Sequence, residues 1–202
     1  MREHFVGSRE LRDAVILADL EEAREAALTL AEVRGVEALP PGSELGLQEM
    51  RNRARAVSEA STLDDAARAG ARLARSCADC HARYETGPGA VFDAQPPETE
   101  ERSLNHGLRA DRAATLLWEG VMAPADVAWQ RGAAQLADGI YIPDILAGRL
   151  EGPSRIAEAR ERLTRLGIRA ERTVVEEDRA RILAEVWTEC ADCHRLVEGR
   201  GG

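Results

Sequence analysis

Residues 63–84 read LDDAARAGARLARSCADCHARY, and the periodicity of this stretch decides the fold. Leu63, Ala66, Gly70, Leu73, Cys77, Cys80 and Tyr84 recur at steps of three and four, which on a 3.6-residue helix draws one stripe down one face. Thr62 followed by Asp65 supplies a start signal. The stretch closes on Cys77-Ala78-Asp79-Cys80-His81, and the same pentapeptide returns unchanged as Cys190-Ala191-Asp192-Cys193-His194. A matching stripe of Ile182, Val186, Cys190, Cys193 and Val197 carries the second copy. On a helix, cysteines at i and i+3 and a histidine at i+4 leave from one side, so two thiols and an imidazole can meet a single object.

Working outward, the repeat extends to whole segments. Aligning Leu11, Ala14 and Val15 with Ala113, Leu116 and Leu117 brings two leading helices into register. The first half predicts a helix over about Arg2 to Ala18, a second from the Asp19 and Glu22 capping pattern to Gly35, and a turn at Leu39-Pro40-Pro41-Gly42-Ser43. A third helix then runs to about Ala60, before the stretch above. In the second half a helix is expected over Arg102 to Val121, with Pro124 in the first turn of the next and Gly139 ending it. Pro153-Ser154 then opens a helix that Gly167 closes, and Thr173 with Glu176 forms a capping box before the last. Glu85 to Glu101 holds Thr86-Gly87-Pro88-Gly89 and Gln95-Pro96-Pro97-Glu98, which neither helix nor strand tolerates. The expectation is an all-α chain of two tandem four-helix bundles, over residues 1–86 and 101–202, joined by a linker at 87–100. The longer connection Gly139 to Gly152 is expected to cover one edge of the second site.

Composition narrows the partners. The chain has 202 residues, and its 27 basic side chains, all arginine, face 36 acidic ones for a net charge of −9. No basic block could track a phosphate backbone, so nucleic acid is not an expected ligand. Nor is there an apolar run long enough to span a bilayer. Aromatics are only 3%, leaving alanine and leucine to fill two small cores. Such cores leave room for a bound group.

The identity of that group follows from the cysteines. Cys-x-x-Cys-His is the signature of covalent c-type haem attachment, two thioethers and one imidazole on iron. The 113 residues between the two copies far exceed the roughly 15–20 between paired cysteines of a zinc ribbon, and no alternating pattern offers the sheet a dithiol redox motif would want. Two covalently bound haem c groups are expected, held by Cys77, Cys80 and His81 and by Cys190, Cys193 and His194. The remaining histidines, His4 and His106, each lie near the start of a leading helix. His4, Leu11 and Val15 share offsets with His106, Ala113 and Leu117, which turns both imidazoles inward with the apolar stripe. In an up-and-down bundle the first helix begins where the fourth ends, so His4 and His106 are the expected sixth ligands. Met1, Met50 and Met122 are the rival donors, and none has a counterpart in the other half. Trp118, Trp129 and Trp187 occur only in the second half and are expected to pack against haem or between helices.

With the attachment motif at the end of the fourth helix in both halves, the chain resembles the class II cytochromes c, the cytochrome c′ type four-helix bundles. That resemblance implies an iron whose distal side is open, or methionine-ligated in related electron carriers, where this chain offers histidine. The expected activity is one-electron transfer by two bis-histidine haems, with a dihaem peroxidase or a gas-binding protein as alternatives. An acidic surface suits redox partners with basic docking faces. Thioether attachment takes place after export, which places the expected protein in the periplasm. Met1 to Leu20 is too charged for a signal peptide, so on this reading the numbering starts after a processed leader, or the leader has been replaced.

Overall fold

Punctuation in the sequence becomes helix ends in the structure. The computed structural model describes residues 2–33, 39–84, 106–140 and 153–197, and every regular element among them is an α-helix. These are α1 (Arg2–Ile16), α2 (Leu20–Ala31), α3 (Glu44–Ser58), α4 (Leu63–Tyr84), α5 (His106–Met122), α6 (Asp126–Ala137), α7 (Pro153–Glu171) and α8 (Glu176–Val197). Asp19 caps α2, its carboxylate accepting from the Glu22 amide at 3.0 Å. The Thr62 hydroxyl accepts from the Asp65 amide at 3.1 Å and so caps α4. Each satisfies an amide that a helix start leaves unpaired. After α6 the chain turns through Gly139 at φ +85, a left-handed conformation that costs glycine little.

Three expected boundaries are corrected. Pro124 lies outside α6, which starts at Asp126 behind Ala125. Gly167 closes nothing: α7 runs through it to Glu171. A Cβ at position 167 would lie 2.3 Å from the Ala137 nitrogen, so this glycine marks where α7 presses on the backbone of α6. Thr173 and Glu176 do not stand in capping-box register, because α8 begins at Glu176 itself, and the Thr173 hydroxyl donates back to the Arg169 carbonyl at 2.8 Å. Gly35, the linker at 87–100 and residues 141–152 of the long connection lie outside the described residues.

Within each half the consecutive helices pack in order, α1 on α2, α2 on α3 and α3 on α4, then α5 on α6, α6 on α7 and α7 on α8. Their directions alternate. The Tyr84 hydroxyl at the end of α4 reaches the Gly42 carbonyl before α3, Arg24 near the start of α2 donates to the Ala60 carbonyl at 2.9 Å, and the Trp129 indole on α6 donates to the Ala170 carbonyl of α7 at 3.0 Å.

The two halves meet along α4 and α8, which run antiparallel. The Thr188 hydroxyl donates to the Asp64 carboxylate at 3.2 Å near one end, and Arg75 pairs with Glu176 at 2.9 Å near the other. Between them Trp187, 1% exposed, lies on Gly70, where a Cβ would come within 2.9 Å of the indole ring. The single stripe expected on α4 is therefore only part of its buried surface, since Ala67, Ala69, Ala71, Ala74 and Ala78 are buried as well. Helices α1 and α5 both pack against the α4–α8 pair. Arg12 of α1 donates to the Thr115 hydroxyl of α5 at 2.9 Å, and Phe5 meets Trp118 with ring centroids 5.7 Å apart. Buried side chains of both halves belong to one continuous, alanine-rich core.

Candidate functional site

Antiparallel packing sends the two pentapeptides to opposite ends of the molecule. Residue 188 of α8 stands level with residue 64 of α4. At a rise of about 1.5 Å per residue, Cys77 and Cys190 are then about 23 Å apart along the helix axes, and His81 and His194 about 35 Å. The two cysteine pairs do not combine into one four-sulfur site. All four cysteines are free thiols.

At the first end, Cys77, Cys80 and His81 occupy the last two turns of α4. Cys77 packs against the core, and burial, with Cys80 beside it, pushes its thiol up to about 12. The Cys80 sulfur lies against α3 at Gly46, where a Cβ would be only 3.2 Å from it. His81 is half-buried and turns toward the end of α5, its Nδ1 lying 3.0 Å from the Met122 carbonyl. A carbonyl oxygen only accepts, so Nδ1 carries the proton and Nε2 keeps its lone pair. Met122 ends α5, and its carbonyl is one of those a helix terminus leaves without an internal partner. Burial holds the His81 imidazole below the usual histidine range, against the pull of that hydrogen bond, and so favours the neutral form that a ligand requires. His4, in the first turn of α1, is also half-buried. Burial lowers its basicity most, then the amino terminus, then His81, so the two imidazoles feel one another. The start of α1 is thus brought to the end of α4.

At the second end Cys190 is buried. Its thiol is pushed up to about 12 by burial, then by Cys193, Glu189 and Asp111. Burial also raises the Cys193 thiol, with Glu189 and Asp192 adding to the effect. Asp111 belongs to α5, so the early part of that helix stands beside Cys190, and His106 is its first residue. The His106 side chain lies outside the described residues. His194 is half-buried near the end of α8, next to the ion pair of Arg195 with Asp192.

Gly46 and the Met122 carbonyl were not anticipated. A glycine inside a helix, costing about 1 kcal/mol against alanine, was a readable sign of close approach. A backbone carbonyl leaves no mark in a sequence. Met122 is buried and Met50 packs on the edge of the core, while Met1 lies outside the described residues. The tryptophans pack between helices. Trp118 sits between Phe5 and Arg12, whose guanidinium lies 5.2 Å from the ring centroid, Trp129 between α6 and α7, and Trp187 between α8 and α4.

Two free thiols one turn apart, next to an imidazole whose Nδ1 is already engaged, form the donor set that a covalently attached haem uses. An orienting hydrogen bond from the second ring nitrogen is the usual companion of a metal-bound histidine. Among the described residues no three His, Cys, Asp or Glu side chains converge as a bare metal ion would need. A porphyrin brings four nitrogen donors of its own, so its iron asks the protein for only one or two. No protein-family model, curated protein or solved structure matches this chain.

Proposed function

We propose that the protein is a dihaem c-type cytochrome, built of two four-helix units of the class II kind, that carries single electrons in an exported compartment such as the periplasm. The observation that carries this reading is the His81 Nδ1 contact with the Met122 carbonyl at 3.0 Å, inside a pentapeptide that the chain repeats without change. A haem held by these residues would supply one-electron exchange between ferric and ferrous iron.

The chain's own residues would do the rest. Cys77 and Cys80, and likewise Cys190 and Cys193, would anchor the group, with His81 and His194 as ligands and His4 and His106 as the further nitrogen donors. The Met122 carbonyl fixes the tautomer and ring plane of His81 and increases its donor strength. Cys77 packs on the alanine-rich core and Cys190 lies buried in it, which shields one side of each motif from water. The net charge of −9 favours brief, salt-sensitive encounters with basic partner proteins.

The test is an optical and electron-paramagnetic spectrum of protein matured with a haem-attachment system, for the parent chain and for His4→Ala and His106→Ala separately. Two low-spin centres are expected in the parent, with one converted to high spin by each substitution. Spectra unaffected by both substitutions would remove the bis-histidine reading. A high-spin parent with fast carbon monoxide uptake would turn it into a gas-binding or peroxidase-like protein.

A further inference from the structure

Between the two pentapeptides, reaching Asp79 of the first and Glu189 beside the second, α3 and α7 stand apart on either side of the α4–α8 pair and leave an open groove of about 1090 Å3. Alanines 71, 180 and 184 lie along it, and eight arginines and six carboxylates line it. A chain of net charge −9 thus presents a locally cationic cleft, large for a small-molecule site.

The helix registers show where the positive charge gathers. With Thr188 level with Asp64, Arg181 of α8 falls within a residue of the level of Arg72 on α4. Gly46 lies against Cys80, which brings Arg53 of α3 to that level too. Arg169 of α7 pairs with Glu185 at 2.6 Å and so stands level with Arg68, one turn along α4. Five arginines from four helices therefore have backbone levels within about two turns, roughly 10 Å along the groove.

Most of their present partners are weak competitors. Arg53 pairs with Glu49, Arg68 with Asp64 and Asp65, Arg181 with Asp178, and Arg169 with Glu185, all between partly exposed side chains. Such pairs contribute little in water and exchange readily. Among the described residues Arg72 makes no ion pair and is exposed in the middle of the cluster. A walled cleft concentrates the field of such charges, and the guanidinium fork grips phosphate and carboxylate oxygens two at a time.

We propose that this groove binds a small polyanion, a condensed phosphate or a tricarboxylate, through Arg72 and Arg181 at its centre, with Arg53, Arg68 and Arg169 completing the ring. The proposal stands independently of what the cysteines attach.

The test is calorimetric titration of the full chain with pyrophosphate, tripolyphosphate and citrate at constant ionic strength. The variants are Arg72→Ala/Arg181→Ala in the groove and Arg155→Ala on exposed α7 outside it. Saturable binding is expected for the parent and for Arg155→Ala, at least tenfold weaker in the groove variant while circular dichroism stays unchanged. The phosphate and citrate arms separate the two sources of charge. Should the alanine pair unfold, Arg72→Lys/Arg181→Lys carries the comparison, with several-fold weakening expected from loss of the forks alone. Absence of binding, equal weakening by Arg155→Ala, or uptake of polyglutamate with no response to the small anions would each overturn the proposal.

Discussion

Replacing Gly70 with alanine tests directly whether the two halves share a core. An added Cβ would sit 2.9 Å from Trp187 Cζ3, against an ordinary carbon contact of about 3.5–4.0 Å. The ring cannot swing aside easily, because Trp187 is 1% exposed. Overpacking of this kind costs about 1–3 kcal/mol, and the better helix propensity of alanine returns about 0.8–1 kcal/mol. The net effect runs from about zero to a loss of about 2 kcal/mol, or up to roughly 8 °C lower in melting temperature for a chain of this size. Were residue 70 to face solvent between two independent bundles, only the propensity gain would remain, and the midpoint would rise by roughly 2–4 °C. The sign of the shift therefore separates the two cases. Thermal and urea unfolding followed by circular dichroism would read it, with Trp187→Leu as a second background. Shortening the ring costs stability on its own, yet Gly70→Ala should be neutral or favourable in that background. A Gly70→Ala chain that melts higher than its parent would refute the α4–α8 contact.

Other outcomes follow from the same structure. In haem-free protein at pH 8, a thiol held near 12 is about a thousandfold less ionised than an ordinary cysteine, so alkylation of the buried Cys190 should be slow until urea is added, and that of the partly exposed Cys77 slow by its raised pKa alone; fast labelling of Cys190 in the folded chain would contradict its burial. Glu119 is 7% exposed, its Oε2 lacks a hydrogen-bond partner, and burial raises its pKa against the opposing pull of Arg112, Arg12 and Arg9. The folded chain holds that proton more tightly than the unfolded one, so the stability linked to it is full below the ordinary value of 4.5 and is lost as pH rises through the raised value. Glu119→Gln should accordingly be more stable than the parent at pH 7, with the advantage shrinking toward pH 4; an advantage that grows in acid would reverse the assignment. Asp19→Ala should cost about 1 kcal/mol by freeing the Glu22 amide, and denaturant unfolding indistinguishable from the parent would show that the cap contributes nothing.

Helix starts were legible wherever a side chain itself makes the cap, as at Asp19 and Thr62, because the signal and its hydrogen bond lie within three residues. Gly167 misled because glycine serves two purposes, ending helices and letting them touch, and only the tertiary neighbour at Ala137 decides between them. Period-3.6 patterning found the face of α4 that carries the cysteines. The alanines on its other faces were read as filler, although small side chains are what permit α8 to lie against them. The pentapeptides themselves marked a candidate site. Their placement at opposite ends of one antiparallel pair depends on contacts such as Thr188 with Asp64, 124 residues apart, which no local pattern encodes.

The most direct measurement is the intact mass of the chain after maturation with a haem-attachment system and complete denaturation. Two haem masses should remain bound, falling to one when Cys190 and Cys193 are both changed to serine and to the other single one when Cys77 and Cys80 are. A denatured chain that carries no added mass, under conditions that mature a control cytochrome, would contradict the assignment of both pentapeptides.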